Sequence, residues 1–261
     1  MTETILVDRI GDVTTITLNR PARLNAFNVE MLGRLRSAIA HAAEDGTRCL
    51  VITGAGKGFC AGQDLSDRVR TPGDPPPDLG ESLDARYNPL VRSLKALPMP
   101  VVAAVNGVAA GAGANLALAC DIVVAARSAS FAQSFAKVGL IPDSGGTWTL
   151  PRLVGNARAF GLMMLGDKVS AEQAEAWGMI WRVVDDEQLL PAALAIAAQL
   201  AAAPTRGLAL LKKALVRSGA NTLDAQLDLE RDLQAEAGRT RDYQEGVAAF
   251  VEKRPARFEG R

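Results

Sequence analysis

The 261-residue chain contains one histidine, His41. Ser-His-Asp and Cys-His catalysis, and most catalytic zinc sites, need a well-placed imidazole. His41 falls near the end of segment 28–43, where Met31, Leu32, Leu35 and Ile39 recur at helical spacing. It is read as a helix-end residue facing solvent or the local C-terminal dipole. Catalysis must then rest on carboxylates or backbone groups, and no metal site is expected. Cysteine is also scarce: Cys49, Cys60 and Cys120 form neither a CxxC pair nor an even set, which suits a reducing cytosol better than a disulfide scaffold. Excess charge is missing, with 29 basic and 29 acidic residues, so no nucleic-acid partner is expected. The longest apolar tract, 101–120, is interrupted by Asn106, Asn115 and three glycines, and no membrane span is expected from it. The amino end carries Glu3 and Asp8 without a basic stretch leading into an apolar one. No export signal is expected, and a soluble, cytoplasmic protein is anticipated.

The 48% hydrophobic content supports a sizeable core in one large domain or two small ones. Segments 4–7 and 13–18 flank Gly11-Asp12 and predict a hairpin. A helix over 28–43, ended by Gly46, leads into a short apolar strand at 48–53. Strands are predicted at 101–105, 122–125 and 128–131, with a helix at 113–119. The four prolines and two aspartates of 71–80 resist both helix and strand and predict a mobile loop or lid. Beyond residue 156 the pattern is nearly all helical, over 156–165, 170–177, 187–202, 205–216, 222–238 and 241–253. The fold class is mixed α/β, with strands in the first half and helices gathering at the end.

Two glycine-rich stretches fail as phosphate sites. Lys57 is followed by Gly58 where a phosphate loop needs Ser or Thr, and the run from Gly107 puts Leu116 at the third glycine of a dinucleotide motif. A strand entering a helix through small residues instead leaves N–H groups unpaired where partial positive charge gathers. Two such groups converging on one point make an oxyanion hole. The stretches 59–65 and 107–116 can each supply one donor, or serve only as tight turns.

Asn19-Arg20-Pro21 with Leu24-Asn25-Ala26, Gly58-Phe59-Cys60-Ala61-Gly62-Gln63-Asp64-Leu65, Asn106-Gly107 with its glycine run ending in Cys120-Asp121-Ile122, and Gly139-Leu140-Ile141-Pro142-Asp143-Ser144-Gly145-Gly146-Thr147 occur in that order. In these motifs the chain resembles the enoyl-CoA hydratase/isomerase (crotonase) superfamily. The resemblance implies a crotonase-like spiral of ββα repeats over residues 1–200 that binds acyl-CoA. It implies a helical region over 201–261 for oligomerisation and active-site cover, in a homotrimer or dimer of trimers. The substrate would be an acyl-CoA thioester; coenzyme A is then part of the substrate and no separate cofactor is expected. Carried over residue by residue, the N–H groups of Gln63 and Ala112 would form the oxyanion hole. Backbone at Arg23, Leu24, Ala61, Asp64 and Leu65 would hold the adenine and pantetheine parts, and Lys253 would meet CoA phosphates, as an alternative to a merely solvated helix-end lysine.

Hydratases of the superfamily carry two water-handling glutamates, where this chain has Asn115 and Phe135. A third family position holds an acid, Asp143, as in a subset of isomerases. The resemblance therefore implies an isomerase with Asp143 as catalytic base, acting on a ring-epoxide thioester of phenylacetate breakdown. Its alternatives are a Δ3,Δ2-enoyl-CoA isomerase and a non-catalytic acyl-CoA- or RNA-binding member. Phe135, Val138, Leu140 and Trp148 are candidates for an apolar wall that would raise the basicity of Asp143. The competing reading of Asp143 is the N-cap of a helix starting at Ser144.

Overall fold

The computed structural model describes residues 3–68 and 78–261; most of the proline-rich segment 71–80, expected to be a lid, lies outside the described residues. The strands are β1 (Ile5–Ile10), β2 (Val13–Leu18), β3 (Cys49–Gly54), β4 (Gly58–Cys60), β5 (Val101–Val105), β6 (Val108–Ala110), β7 (Ile122–Ala126), β8 (Ser130–Ala132), β9 (Lys168–Ser170) and β10 (Arg182–Val184). The helices are α1 (Val29–Ala42), α2 (Leu79–Ser82), α3 (Asn88–Ala96), α4 (Ala112–Ala119), α5 (Gly146–Leu165), α6 (Ala171–Ala176), α7 (Leu189–Ala201), α8 (Thr205–Ser218), α9 (Leu223–Ala237) and α10 (Arg241–Glu252).

Two sheets share the strands, one in the order β1-β2-β3-β5-β7-β10 and one in the order β4-β6-β8-β9. The pairs β3/β4, β5/β6 and β7/β8 each place their first strand in the large sheet and their second in the small one, and a helical segment follows. That is the expected ββα spiral. Between successive turns the strands run parallel in both sheets. β3, β5 and β7 are covered on both faces and so read as almost unbroken runs of Val, Ile, Leu and Ala. α7 packs across the large sheet over β2, β3, β5 and β7. α1 starts where expected, the Asn28 side chain accepting from the Met31 N–H at 2.8 Å. His41, 76% exposed at its side chain, faces solvent beside Asp45.

The structure departs from the sequence reading at several points, and α2 and α3 are among the elements it adds. β4, β6, β9 and β10 were not anticipated, because three residues are too few to display an alternation. α5 is two helical segments joined across a kink at the non-helical Gly155 (φ 76°, ψ 163°): the expected helix over 156–165 is the second, and the first, which starts at Gly146 and contains Pro151, was not anticipated. Gly145 is the N-cap of α5, so Asp143 does not cap it.

The C-terminal layer is tied to the sheets by buried polar contacts. Lys212 of α8 pairs with Asp121 at 2.7 Å and donates to the Met99 carbonyl at 3.3 Å, while the same Asp121 oxygen accepts from the Val101 N–H at 2.8 Å. Arg48 reaches Thr205, Ala203 and Phe258 at 2.8, 2.7 and 3.0 Å. Among the described residues no single helix is long and apolar enough to cross a membrane. Lys212→Ala removes one partner of a largely buried pair and is expected to cost on the order of 3 kcal/mol in urea unfolding. A loss under about 0.5 kcal/mol, the scale of a surface substitution, would contradict this packing role.

Candidate active site

The site is assembled where the first two turns of the spiral touch. The segment 20–25 lies along the loop that runs from β3 into β4. Asn25, fully buried, donates to the Ala55 and Gly58 carbonyls at 2.9 and 2.7 Å and accepts from the Arg20 N–H at 2.8 Å. Asn106 donates to the Gly56 and Gly58 carbonyls and accepts from the Gly54 N–H. These two amides explain why asparagine stands in both motifs: each needs donors and an acceptor on one short side chain.

From β4 the chain passes Ala61 and Gly62 to Gln63, and from β6 it passes Gly111 into α4. The two exits touch: a Cβ on Gly62 would lie 2.8 Å from the Ala110 carbonyl oxygen and 3.4 Å from the Ala112 nitrogen, and one on Gly113 would overlap the Cys60 carbonyl. Gly62 also has φ 89°, a conformation that side chains disfavour. Phe27 bridges to this loop, its N–H donating to the Gly62 carbonyl and its carbonyl accepting from the Asp64 N–H. The Gly62 carbonyl and the Asp64 N–H are thereby used, and the Gln63 N–H donates to nothing among the described residues. Ala112 is the first residue of α4, so its N–H has no intrahelical acceptor. Two open donors thus stand on touching loops at a helix start, an arrangement suited to anionic oxygen.

The other expected residues divide. Arg23, Leu24, Ala61, Asp64 and Leu65 come together on the facing loops, with Leu24 (φ 47°) against Gly58. Most of their amides are already committed: Arg23 to Arg20, Leu24 to Pro21, Ala61 to Leu24 and Asp64 to Phe27. A ligand along this edge therefore meets mainly carbonyl oxygens and the exposed Leu24 and Leu65 side chains. The Asp64 carboxylate is spent internally. It accepts from Arg20 at 2.9 Å and from the Ser66 hydroxyl at 2.6 Å, and the Ser66 hydrogen bond, then Arg20, hold its pKa below the usual range. Lys253 is not brought to these loops by a recorded contact. It caps α10 in a left-handed conformation (φ 54°), exposed, with its ammonium unpaired among the described residues.

Asp143 is half-buried, and burial pushes its pKa up, opposed by a 2.9 Å hydrogen bond from Ser144 Oγ. Its segment is fixed to α4: Asn115 Nδ2 donates to the Asp143 carbonyl at 2.8 Å, and so does the Gly146 N–H. Asn115 and Phe135, where hydratases carry glutamates, are both buried. The Phe135 ring lies 3.6 Å from where a Cβ on Gly111 would sit, so it covers the residue just before Ala112. Of the other expected wall residues, Val138, Leu140 and Trp148 stand exposed, Trp148 beneath the Arg152 guanidinium at 4.1 Å. Burial drives the Cys60 thiol up to about 12, which leaves it inert.

Sequence reasoning missed Gln133, which donates to Asn115 Oδ1 at 2.7 Å, and the role of Tyr87, whose hydroxyl bonds Gln63 Oε1 from a π-helical turn at Leu83–Tyr87. No local signal marks Gln133. A surface groove of about 710 Å³ lies between α8 and α9 rather than at these loops.

Strand-paired turns, a glycine-tightened junction and a helix start offering open amides define a crotonase-type protein, and the chain belongs to the enoyl-CoA hydratase/isomerase family, whose model matches residues 9–261. It is 59% identical, over the full length of both chains, to the 1,2-epoxyphenylacetyl-CoA isomerase of Escherichia coli (strain K12). It is 37% identical to the 2,3-dehydroadipyl-CoA hydratase of the same organism, covering 98% of this chain and 99% of that one. An enoyl-CoA hydratase structure from Bacillus anthracis superposes with a TM-score of 0.92 at 34% identity, covering 99% of this chain and all of the other.

A carboxyl whose folded-state pKa is raised binds its proton more tightly in the native state. Ionising it as pH rises through that pKa costs stability, and the cost persists at neutral pH. Asp143→Asn cannot ionise and caps no helix. It should melt no lower than the parent at pH 7, with the difference shrinking below about pH 4, where Asp is protonated in both states. Thermal melts at the two pH values check this, and a clearly lower melting point for the variant at pH 7 would contradict it.

Proposed function

We propose that this chain is an acyl-CoA isomerase that converts 2-(1,2-epoxy-1,2-dihydrophenyl)acetyl-CoA to the oxepin-CoA in phenylacetate catabolism. The observation that carries the reading is a half-buried carboxylate, Asp143, anchored to the helix that begins at Ala112, with an amide and a phenyl ring, Asn115 and Phe135, at the two positions where hydration needs carboxylates. The 59% identity supports the choice of substrate.

In this mechanism the thioester oxygen sits between the Gln63 and Ala112 N–H groups, which meet the charge that develops when the α-carbon loses a proton. Each such donor is worth about 3 to 4 kcal/mol in enzymes where one has been removed. Asp143 takes the α-proton and returns it further along the conjugated system, so one carboxylate serves both halves of the transfer. In the ring epoxide, the carbon–carbon bond shared by the two rings breaks to give the seven-membered ring. No atom is gained or lost and no external oxidant or reductant is required, so no cofactor is called for. The raised pKa of Asp143 favours this role, because a carboxylate left at about 3.9 is a weak base.

CoA is held along Arg23, Leu24, Ala61, Asp64 and Leu65, with Lys253 reaching the phosphates from the C-terminal region. Residues 201–261 act as the oligomerisation and cover region. Leu223, Leu227, Val247 and Phe250 are exposed on the single chain, Phe250 at 86%. Covering them in a homotrimer or dimer of trimers removes a large apolar surface from water. The three free cysteines are buried, and a cytoplasmic location is the corresponding proposal.

Incubation with ring-epoxide, linear 3-enoyl and 2-enoyl CoA thioesters, followed by mass and ultraviolet spectra, tests the substrate. The ring epoxide should turn over fastest and crotonyl-CoA should hydrate weakly or not at all. Rapid formation of 3-hydroxybutyryl-CoA would overturn the reading, and preference for the linear 3-enoyl thioester would move it to a fatty-acid isomerase. Asp143→Asn should lower kcat on the order of a hundredfold or more with little change in KM. Light scattering at micromolar concentration should report a trimer or hexamer, and a monomer alone would refute the proposed assembly.

A further inference from the structure

Asn115 is 2% exposed on the first turn of α4 and uses both ends of its amide. A backbone carbonyl only accepts, so the group facing the Asp143 oxygen at 2.8 Å must be the amide NH2. That orientation presents Asn115 Oδ1 to Gln133, which must in turn offer its own NH2, at 2.7 Å. The cost falls on Gln133. It is equally buried, and its Oε1 is left without a hydrogen-bond partner among the described residues. Buried polar oxygens are normally satisfied, and one that is not asks for a reason.

The reason lies at the other end of the chain of amides. The Asp143 carbonyl receives two hydrogen bonds, from Asn115 and from the Gly146 N–H. The following residue, Ser144, is held at φ 51°, and its hydroxyl returns to the Asp143 carboxylate. Gly146 packs so closely on the Asn115 amide that a Cβ there would lie 2.8 Å from Asn115 Cγ. We infer that Asn115 is a positioning residue for Asp143, with Gln133 setting its orientation, so that the position that handles water in hydratases here aims the proton carrier. The inference rests on Asp143 being the base.

Asn115→Leu keeps the volume and deletes both hydrogen bonds; Gln133→Met keeps the volume and deletes the donor together with the orphaned oxygen. Each is assayed for kcat, KM and melting temperature beside Asp143→Asn. Misplacing a reacting group by an ångström costs up to about a hundredfold in rate. Asn115→Leu is expected to lower kcat on the order of tenfold or more with KM within about twofold. Gln133→Met is expected to lower kcat less, without a lower melting temperature. A wild-type kcat in Asn115→Leu, or a loss carried by KM, would overturn the inference while leaving the base intact. Should Asn115→Leu fail to fold, an unchanged kcat in Gln133→Met overturns it alone. An active Asp143→Asn would instead remove the base reading, and the inference with it.

Discussion

The site depends on one steric constraint, the direct contact of backbone with backbone where the exit of β4 meets the start of α4. The Cys60 carbonyl occupies the place a side chain on residue 113 would need, and the Gly62 loop rests against the Ala110 carbonyl and the Ala112 nitrogen. A methyl group on Gly62 or Gly113 would force the two loops, and with them the Gln63 and Ala112 amides, apart. Because the donors belong to the main chain, their direction is set by hydrogen bonds on either side of each, and substitution of side chains cannot delete them. Asn25, Asn106 and Phe27 hold the contact in place. A single-chain spiral achieves this because consecutive turns deliver equivalent strand exits side by side in the small sheet.

Asp143 belongs to the next turn, and its chemistry opposes its comfort. A carboxyl moved out of water resists ionising, which makes it a better base and a costlier neighbour. Asp64 shows the contrast: it accepts from Arg20 and Ser66, its pKa is lowered, and its charge serves the loop rather than a reaction. Two aspartates in matching motifs are thus pushed in opposite directions by their surroundings. The half-exposed surroundings of Asp143 and the exposed apolar faces of α9 and α10 belong to the same proposal, in which the C-terminal region closes over the acyl group.

Much of the frame was legible. The helix over 28–43 and strands β1, β2, β3, β5 and β7 of the large sheet follow from apolar periodicity and from runs buried on both faces, and the structure matches them within a residue or two, apart from a longer β1. Of the small sheet only β8 was anticipated, since strands of three residues are too short to display an alternation. The first half of α5 was hidden because Pro151 and Gly155 interrupt the pattern, and the chain does break at Gly155, after which the expected helix begins. Positions 63, 112 and 143 came from ordered motifs rather than from pattern. What those positions do not convey is partnership: nothing in the sequence near Gln133 or Tyr87 announces Asn115 or Gln63. The cap reading of Asp143 failed for a local reason, since Ser144 and Gly145 take left-handed conformations and delay the helix to Gly146.

The central claim is that open main-chain amides and Asp143 together make an α-proton of a CoA thioester exchangeable. Phenylacetyl-CoA has that α-hydrogen but no epoxide to rearrange, so it isolates proton removal from every later step. Proton NMR in deuterated buffer should show the wild-type protein washing deuterium into the α-carbon, and Asp143→Asn leaving it unlabelled while still binding the thioester. Equal exchange in both proteins, or none in the wild type when the thioester is bound, would contradict the account.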